Sequence, residues 1–461
     1  MILAQGSFIE VDTFTFQFAR EPWIAQQWLG EVVMGLLHSI GGFDALLMFY
    51  TLMLSMLFAW FFNMFLHSGM NYLLSSLLVA LLLSSSTHHF LLRPHLFSLC
   101  FLAVVFNILL KHENETLSAA RLWLLPIIVA IWSNTHGAAL GGIGTIIIAA
   151  TGWTIFYLLG KRSPIKNKTQ ITNLAAICLA CCLAPLANPY GLELYATWQT
   201  IMSSPAVAKN IIEHAGMFQV WYGWNVSILG IIYAASLVGT WRARQKVVWY
   251  LPLVWFALSV GRIRHSPLFA VLAGIAIADF YPHIAWAKVL REKGSVLFSL
   301  RAQTINSFFK PALATCTITL IAGLILQHGR VSVPIIGHGW TKIDSAYWPS
   351  KHVLTLKKIA AERGVNRIFN DMLFGGFLTF HVPEIKIAWD DRCELLKDEG
   401  LTKYLRLMEN ESEMKEFLEK HGLEIALTMP GTKFAHYFEN SPDWNLLEKS
   451  GASLLHQKIQ Q

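Results

Sequence analysis

The sequence predicts an α-helical polytopic membrane domain of about ten spans, followed by a small C-terminal α/β domain outside the membrane. Three observations predict it. Of 461 residues, 54% are hydrophobic and only 14% are charged, whereas soluble domains carry about 25% charged residues. The apolar residues fall in long unbroken runs of the kind that cross bilayers. From about Val331 the composition changes to that of soluble protein, with helix-like and strand-like segments in alternation. The chain therefore divides into an outer loop with an amphipathic interfacial helix (1–42), a multispan domain (43–328) and a soluble domain (329–461).

Residues 1–42 do not read as a signal peptide, because Glu10 and Asp12 interrupt what would be its apolar core. Pro22 is expected to start a helix. Ile24, Trp28, Val32, Leu36 and Ile40 recur every four residues with polar positions between them, the pattern of a helix lying along a membrane surface. The candidate spans are 43–66, 70–86, 95–110, 122–132, 138–160, 171–187, 224–241, 247–261, 267–281 and 311–327. Beyond them, 351–363 reads as a helix and 367–370 as a strand. Residues 376–380 read as a strand after a Gly375-Gly376 turn, and 385–389 as another. A charged helical region (402–420), a strand (423–427) and a strand-like close complete the domain.

Lys and Arg set the orientation. One set of alternate connections holds fourteen: Lys111, Arg121, Lys161, Arg162, Lys166, Lys168, Arg242, Arg244, Lys246, Lys288, Arg291, Lys293, Arg301 and Lys310. The other set holds five, Arg20, Arg93, Lys209, Arg262 and Arg264, so the first is cytoplasmic. The net charge of +7 is absorbed by this asymmetry, and no nucleic-acid partner is expected. Ten spans put both termini outside. A further transmembrane helix is thus expected upstream of residue 1, unless the first loop crosses alone.

Five of six cysteines lie in apolar segments, Cys393 being the exception, so no disulfide framework is implied. The Cys178-x-x-Cys181-Cys182 cluster reads as small apolar packing. No cofactor is expected. His88-His89 and His136 are of the right type for a divalent metal, but no ligand spacing supports one.

The polar corner Trp132-Ser133-Asn134-Thr135-His136-Gly137 stands between two apolar runs and reads as a turn at the membrane surface, with Trp132 as an interfacial aromatic. The orientation rule places it on the outer face. His88, His89, Arg93, His95, Asn188, Tyr190, Glu213, His214, Arg262, Arg264 and His265 lie there too. Arg offers a fixed, permanently charged fork of donors suited to phosphate, and a lipid phosphate sits at this depth. Taken singly, each is as readily a snorkelling Arg or a helix-capping His. Their common location points to Arg93, His136, Arg262, Arg264 and His265 as phosphate ligands. Asn134 and Tyr190 stand beside them, and Asp391 and Arg392 are further outer-face candidates. Asp12 is the acid of the first loop best cast as a general base, with Glu10 and Glu31 as competitors.

Val11-Asp12, Phe14-Thr15-Phe16, Pro22-Trp23, Gln27-Trp28-Leu29, Arg93-Pro94-His95, Trp132–Gly137, Asn188-Pro189-Tyr190-Gly191 and Arg262–His265 occur in that order. Phe369-Asn370-Asp371, Gly375-Gly376-Phe377 and Asp391-Arg392 follow. This series resembles a group of bacterial multispan proteins related to the GT-C glycosyltransferases, among them protein O-mannosyltransferases and lipid A aminoarabinose transferases. The resemblance implies a GT-C-like fold in the bacterial inner membrane with an extracytoplasmic C-terminal domain. It also implies inverting transfer of a sugar from a polyprenyl-phosphate donor to an acceptor on the outer face. Partners would be the lipid-linked donor, membrane lipids and an acceptor that the sequence does not name. The pattern departs from the group in one respect: the first span and its acidic motif are absent, as in a truncated or inactive relative. Other classes open to the chain are a transporter or lipid flippase and a non-catalytic envelope protein. The scarcity of charge inside the spans argues against ion-coupled transport.

Overall fold

The computed structural model describes residues 2–205, 212–299, 309–328, 332–333, 337–338, 343 and 345–459. The chain forms two compact units. One comprises 26–194 and 208–323, the other 1–25, 195–207 and 324–461.

In the first unit each of the ten apolar segments coincides with a helix. These are α1 (Trp28–His67), α2 (Tyr72–Ser84), α3 (His95–Glu113), α4 (Leu124–Thr135), α5 (Ala139–Leu158) and α6 (Lys168–Leu183). After α7 (Glu193–Ser203), most of which belongs to the other unit, come α8 (Gly223–Gly239), α9 (Leu251–Gly261), α10 (Ser266–Phe280), a short α11 (Ala285–Glu292) and α12 (Phe309–His328). Among the described residues, five helical stretches are long and apolar enough to cross a bilayer: Trp28–His67, His95–Glu113, Ala139–Leu158, Lys168–Leu186 and Ile263–His283. Several of the others are apolar all round, the pattern of a helix with no water-facing side. On α8, Tyr233 and Leu229 are buried while Trp224, Ile228, Ile231 and Val238 are exposed. At the centre lies α10, nearly every side chain of which is buried.

Two local expectations change. Pro22 does not start a helix. It pairs antiparallel with Val11, the Trp23 amide donates to the Glu10 carbonyl, and α1 begins only at Trp28. The interfacial helix and the first span are then one helix broken at Gly41-Gly42, where Gly42 takes φ 64° and ψ −153°, a region essentially confined to glycine. The polar corner is likewise helical through Thr135, and the turn falls at 136–138. Trp132 is fully buried, not interfacial.

The second unit is built on a sheet. Helix α13 (Val353–Arg363) leads to β1 (Arg367–Asn370), α14 (Gly375–His381) and β2 (Lys386–Ile387). Then follow α15 (Cys393–Glu409), α16 (Glu411–Lys420), β3 (Ile425–Thr428), α17 (Lys433–Asn440), β4 (Trp444–Lys449) and β5 (Leu454–Lys458). Strand order is β2-β1-β3-β5-β4, parallel across β2, β1 and β3 and antiparallel beyond. Successive residues of β1 face opposite cores. Ile368 packs with Leu356 and Leu378, and Phe369 packs with Met414, Phe417 and Phe438. The sheet is therefore covered on both faces, as parallel sheets are.

The expected strand at 376–380 is helix α14. Phe374, Phe377 and Leu378 are all buried, and their i, i+3, i+4 spacing is that of one helix face. Gly375 is there for close packing: a Cβ on it would lie 2.3 Å from the Trp389 carbonyl oxygen. Helix α17 was not foreseen, although Thr432 caps it by accepting from the Ala435 amide at 3.2 Å.

Residues 14–16 extend the sheet. The Phe16 amide donates to Ile387 O, and the Ile387 amide donates to Phe14 O, so this segment lies parallel to β2 on its outer edge. Phe16 and Phe18 join the aromatic core.

Candidate functional site

One end of the first unit gathers four connections. His88 and His89 lie in the single turn before α3, with Arg93 and His95 at the helix start. His136 ends α4, Glu213 and His214 form a turn, and Arg262, Arg264 and His265 link α9 to α10. A backbone bond from the Ile263 amide to Ala215 O (2.9 Å) joins the last two connections. The opposite end collects Glu113, Glu115, Arg162, Lys166, Arg244, Lys246 and Asp279. Arg93, Arg262 and Arg264 of one set thus lie at one end of the bundle and Arg162, Lys166, Arg244 and Lys246 of the other set at the opposite end, while Lys209 and Arg301 fall outside the described residues.

Arg264 sits at the centre of the first cluster. Its Nη1 donates to His214 Nε2 at 2.7 Å, and its charge acts on His89, His95, His136 and His265. Arg93 lies 3.7 Å from Glu213, and Ser266 Oγ lies 3.1 Å from His88 Nε2. The rings of His89 and His95 are 4.2 Å apart, and those of His95 and His136 are 6.1 Å apart.

The protonation of His136 follows from its neighbours. The Ala138 amide, which can only donate, reaches Nδ1 at 3.2 Å. Ser98 Oγ lies 3.0 Å from the same nitrogen and itself accepts from Trp132 Nε1 at 2.8 Å. Nδ1 is thus an acceptor, and the neutral ring carries its proton on Nε2. Burial, reinforced by His95 and Arg264, lowers the His136 pKa to about 3, and burial with Arg264 and Arg262 lowers that of His214 to about 4. These rings are neutral near pH 7, and the permanent positive charge rests on the arginines.

The other foreseen residues play different parts. Asn134 accepts from Trp28 Nε1 (2.6 Å) and donates to Ala130 O and Ala187 O, so it fastens three segments together. Tyr190 lies in a turn held by Asn188, whose Oδ1 accepts its amide at 2.6 Å.

Asp12, Asp391 and Arg392 lie in the other unit. Asp12 is 1% exposed. Its Oδ1 accepts from the Phe14 amide and Arg392 Nη2, and its Oδ2 from the Thr15 amide and hydroxyl. All four acceptor positions are occupied, the arrangement of a structural carboxylate rather than of a base awaiting a hydroxyl. Arg392 also bonds Asp390 and lies between the rings of Phe14 and Trp23. Asp391 is exposed.

An apolar groove of 680 Å³ is lined from α1 by Tyr50, Leu54 and Phe58, from the α2–α3 connection by Phe90 and Leu92, and from the first turn of α3 by Leu96. Its walls alternate along the chain with the cluster residues His89, Arg93 and His95. The groove was not legible in the sequence, because its walls come from separate apolar runs. Among the described residues, no three His, Cys, Asp or Glu side chains come together as metal ligands. The chain matches no family model and no curated protein with which it was compared.

Proposed function

We propose that this protein is a membrane glycosyltransferase of the GT-C type, taking a sugar from a polyprenyl-phosphate donor and passing it to an acceptor hydroxyl at the outer face of the bacterial inner membrane. One observation carries the reading: the segment that supplies Arg93 and His95 to the cluster also supplies Phe90, Leu92 and Leu96 to an apolar groove, a pairing that suits an amphiphile with an anionic head and a hydrocarbon tail. The order of motifs along the chain supports it.

In this reading Arg93, Arg262 and Arg264 hold the phosphate, and His136 Nε2–H donates to it, with His265 alongside. The acceptor oxygen attacks the anomeric carbon as the bond from that carbon to the phosphate oxygen breaks. The arginines stabilise the charge developing on the departing lipid phosphate. The acceptor proton passes to Glu213, the carboxylate that the cluster itself contains. Asp12 holds the soluble unit together instead.

The test is transfer from a labelled polyprenyl-phosphate sugar by the reconstituted chain. Arg264→Ala is expected to reduce transfer by roughly 10²–10³-fold, the loss typical of one donor to a developing oxyanion. A folded Arg264→Ala protein with wild-type transfer removes the phosphate assignment. Label crossing the vesicle membrane without any transfer selects the flippase reading.

A further inference from the structure

At the bundle end away from the Arg/His cluster, α2, α8 and α10 enclose a second cavity of 280 Å³, almost wholly apolar. Leu78, Ser236 and Ile277 line it, one from each helix, and Trp286 and Phe298 form its mouth with ring centroids 5.5 Å apart. The mouth is built, not incidental. Asn71 caps α2 by accepting from the Leu74 amide, and its side-chain nitrogen donates to Val296 O (2.8 Å) and Leu297 O (3.1 Å), holding the loop that carries Phe298. Arg291 Nε fixes the same loop through Phe298 O at 3.0 Å.

Two features identify an occupant. Tyr281 lines the cavity and is 3% exposed, and its hydroxyl has no hydrogen-bond partner among the described residues. The hydroxyl itself is closed off from the cavity, whose wall is almost wholly apolar, so the occupant is an apolar chain. Helix α11 then runs past the mouth with a divided surface. Val289, Leu290 and Lys288 are exposed on it, Arg291 is half-buried, and Lys293 follows. The guanidinium of Arg291 lies 5.9 Å from the ring of Tyr281, a residue of the cavity wall. Glu292 lies 4.0 Å from Lys288. A basic amphipathic helix of this kind lies in the headgroup layer.

We infer that this cavity holds one acyl chain of an anionic phospholipid, with the headgroup on Arg291, Lys288 and Lys293. The site is independent of the donor site and takes a resident membrane lipid, not a substrate.

The experiment places the full chain in nanodiscs and reads quenching of Trp286, taken as the wild-type signal minus that of Trp286→Phe, by brominated-chain lipids. Brominated phosphatidylglycerol is expected to quench at a lower mole fraction than brominated phosphatidylcholine. Arg291→Gln narrows that preference by about fivefold, the effect of one cation near an anionic surface. Ser236→Leu, which fills the cavity, removes the quenching specific to Trp286. If Arg291→Gln lowers the Tm, the double variant Lys288→Gln/Lys293→Gln, whose side chains are exposed, carries the same expectation. Equal quenching by the two lipids overturns the proposal. So does a preference unchanged in a charge variant that keeps the wild-type Tm.

Discussion

Arg392 Nη2 lies 2.6 Å from Asp12 Oδ1 and 2.6 Å from Asp390 Oδ2, joining carboxylates that are 378 positions apart in the chain (390 − 12). The three side chains are 14%, 0% and 6% exposed. Removing one partner from such a buried set leaves an uncompensated charge, which typically costs about 3–5 kcal/mol. Asp12→Ala is expected to lower the thermal midpoint of the second unit and to expose residues 1–25 to protease. A catalytic role alone would leave both unchanged.

Trp132 rests against Gly142 so closely that a Cβ on the glycine would lie 2.2 Å from the indole. Gly142→Val therefore displaces Trp132, the donor to Ser98 at the head of the relay that fixes His136. Overpacking costs about 1–3 kcal/mol. Thermal unfolding in detergent is expected to show that loss, and binding of a polyprenyl phosphate is expected to weaken with it. Unchanged binding by the folded variant breaks the link between Trp132 and the site.

Asn134 makes one side-chain bond to each of three segments, so Asn134→Ala leaves the Trp28 indole and the Ala187 carbonyl without this partner. The expected loss is about 1–3 kcal/mol. Hydrogen exchange should quicken at the start of α1 and at 184–187 together. Acceleration at only one of these places counts against the three-way junction.

His456 is fully buried on β5, stacked 5.4 Å from Phe438, and burial lowers its pKa below the usual 6.5. The unfolded chain takes up the proton first as pH falls. The stability contribution is therefore complete above pH 6.5 and declines below it, by at most about 1.4 kcal/mol per pH unit until the folded ring also titrates. His456→Gln should flatten the dependence of the second unit's Tm on pH between 7.5 and 5.5, whatever its effect at pH 7.5. An equal slope in the variant excludes His456 as the source.

The helices of the membrane unit were legible because apolar runs state their own length, and α3, α5 and α10 fall within a few residues of expectation. Their turns were less so. The polar residues Ser133, Asn134 and Thr135 resemble a loop by composition, yet each bonds back to a carbonyl three or four residues earlier and stays helical. Arg93, His136 and Arg264 were identifiable as members of one end from charge asymmetry alone. Asp12 was not, because its partner Arg392 is hundreds of positions away and no local pattern encodes that pair. The same holds for the tautomer of His136, which depends on Ser98 and Trp132 on two other turns of chain.

The strand at 14–16 also sets a timetable. Gln17 Nε2 reaches Ala388 O across 371 positions, so the segment is translated long before the edge it completes. At roughly 5–20 residues per second, it waits about 20–70 s for β2. During that interval Phe14, Phe16 and Phe18 have no sheet to join. An early strand with exposed aromatics invites mispairing, and a chaperone or the membrane surface is the natural place for it to be held until β2 emerges.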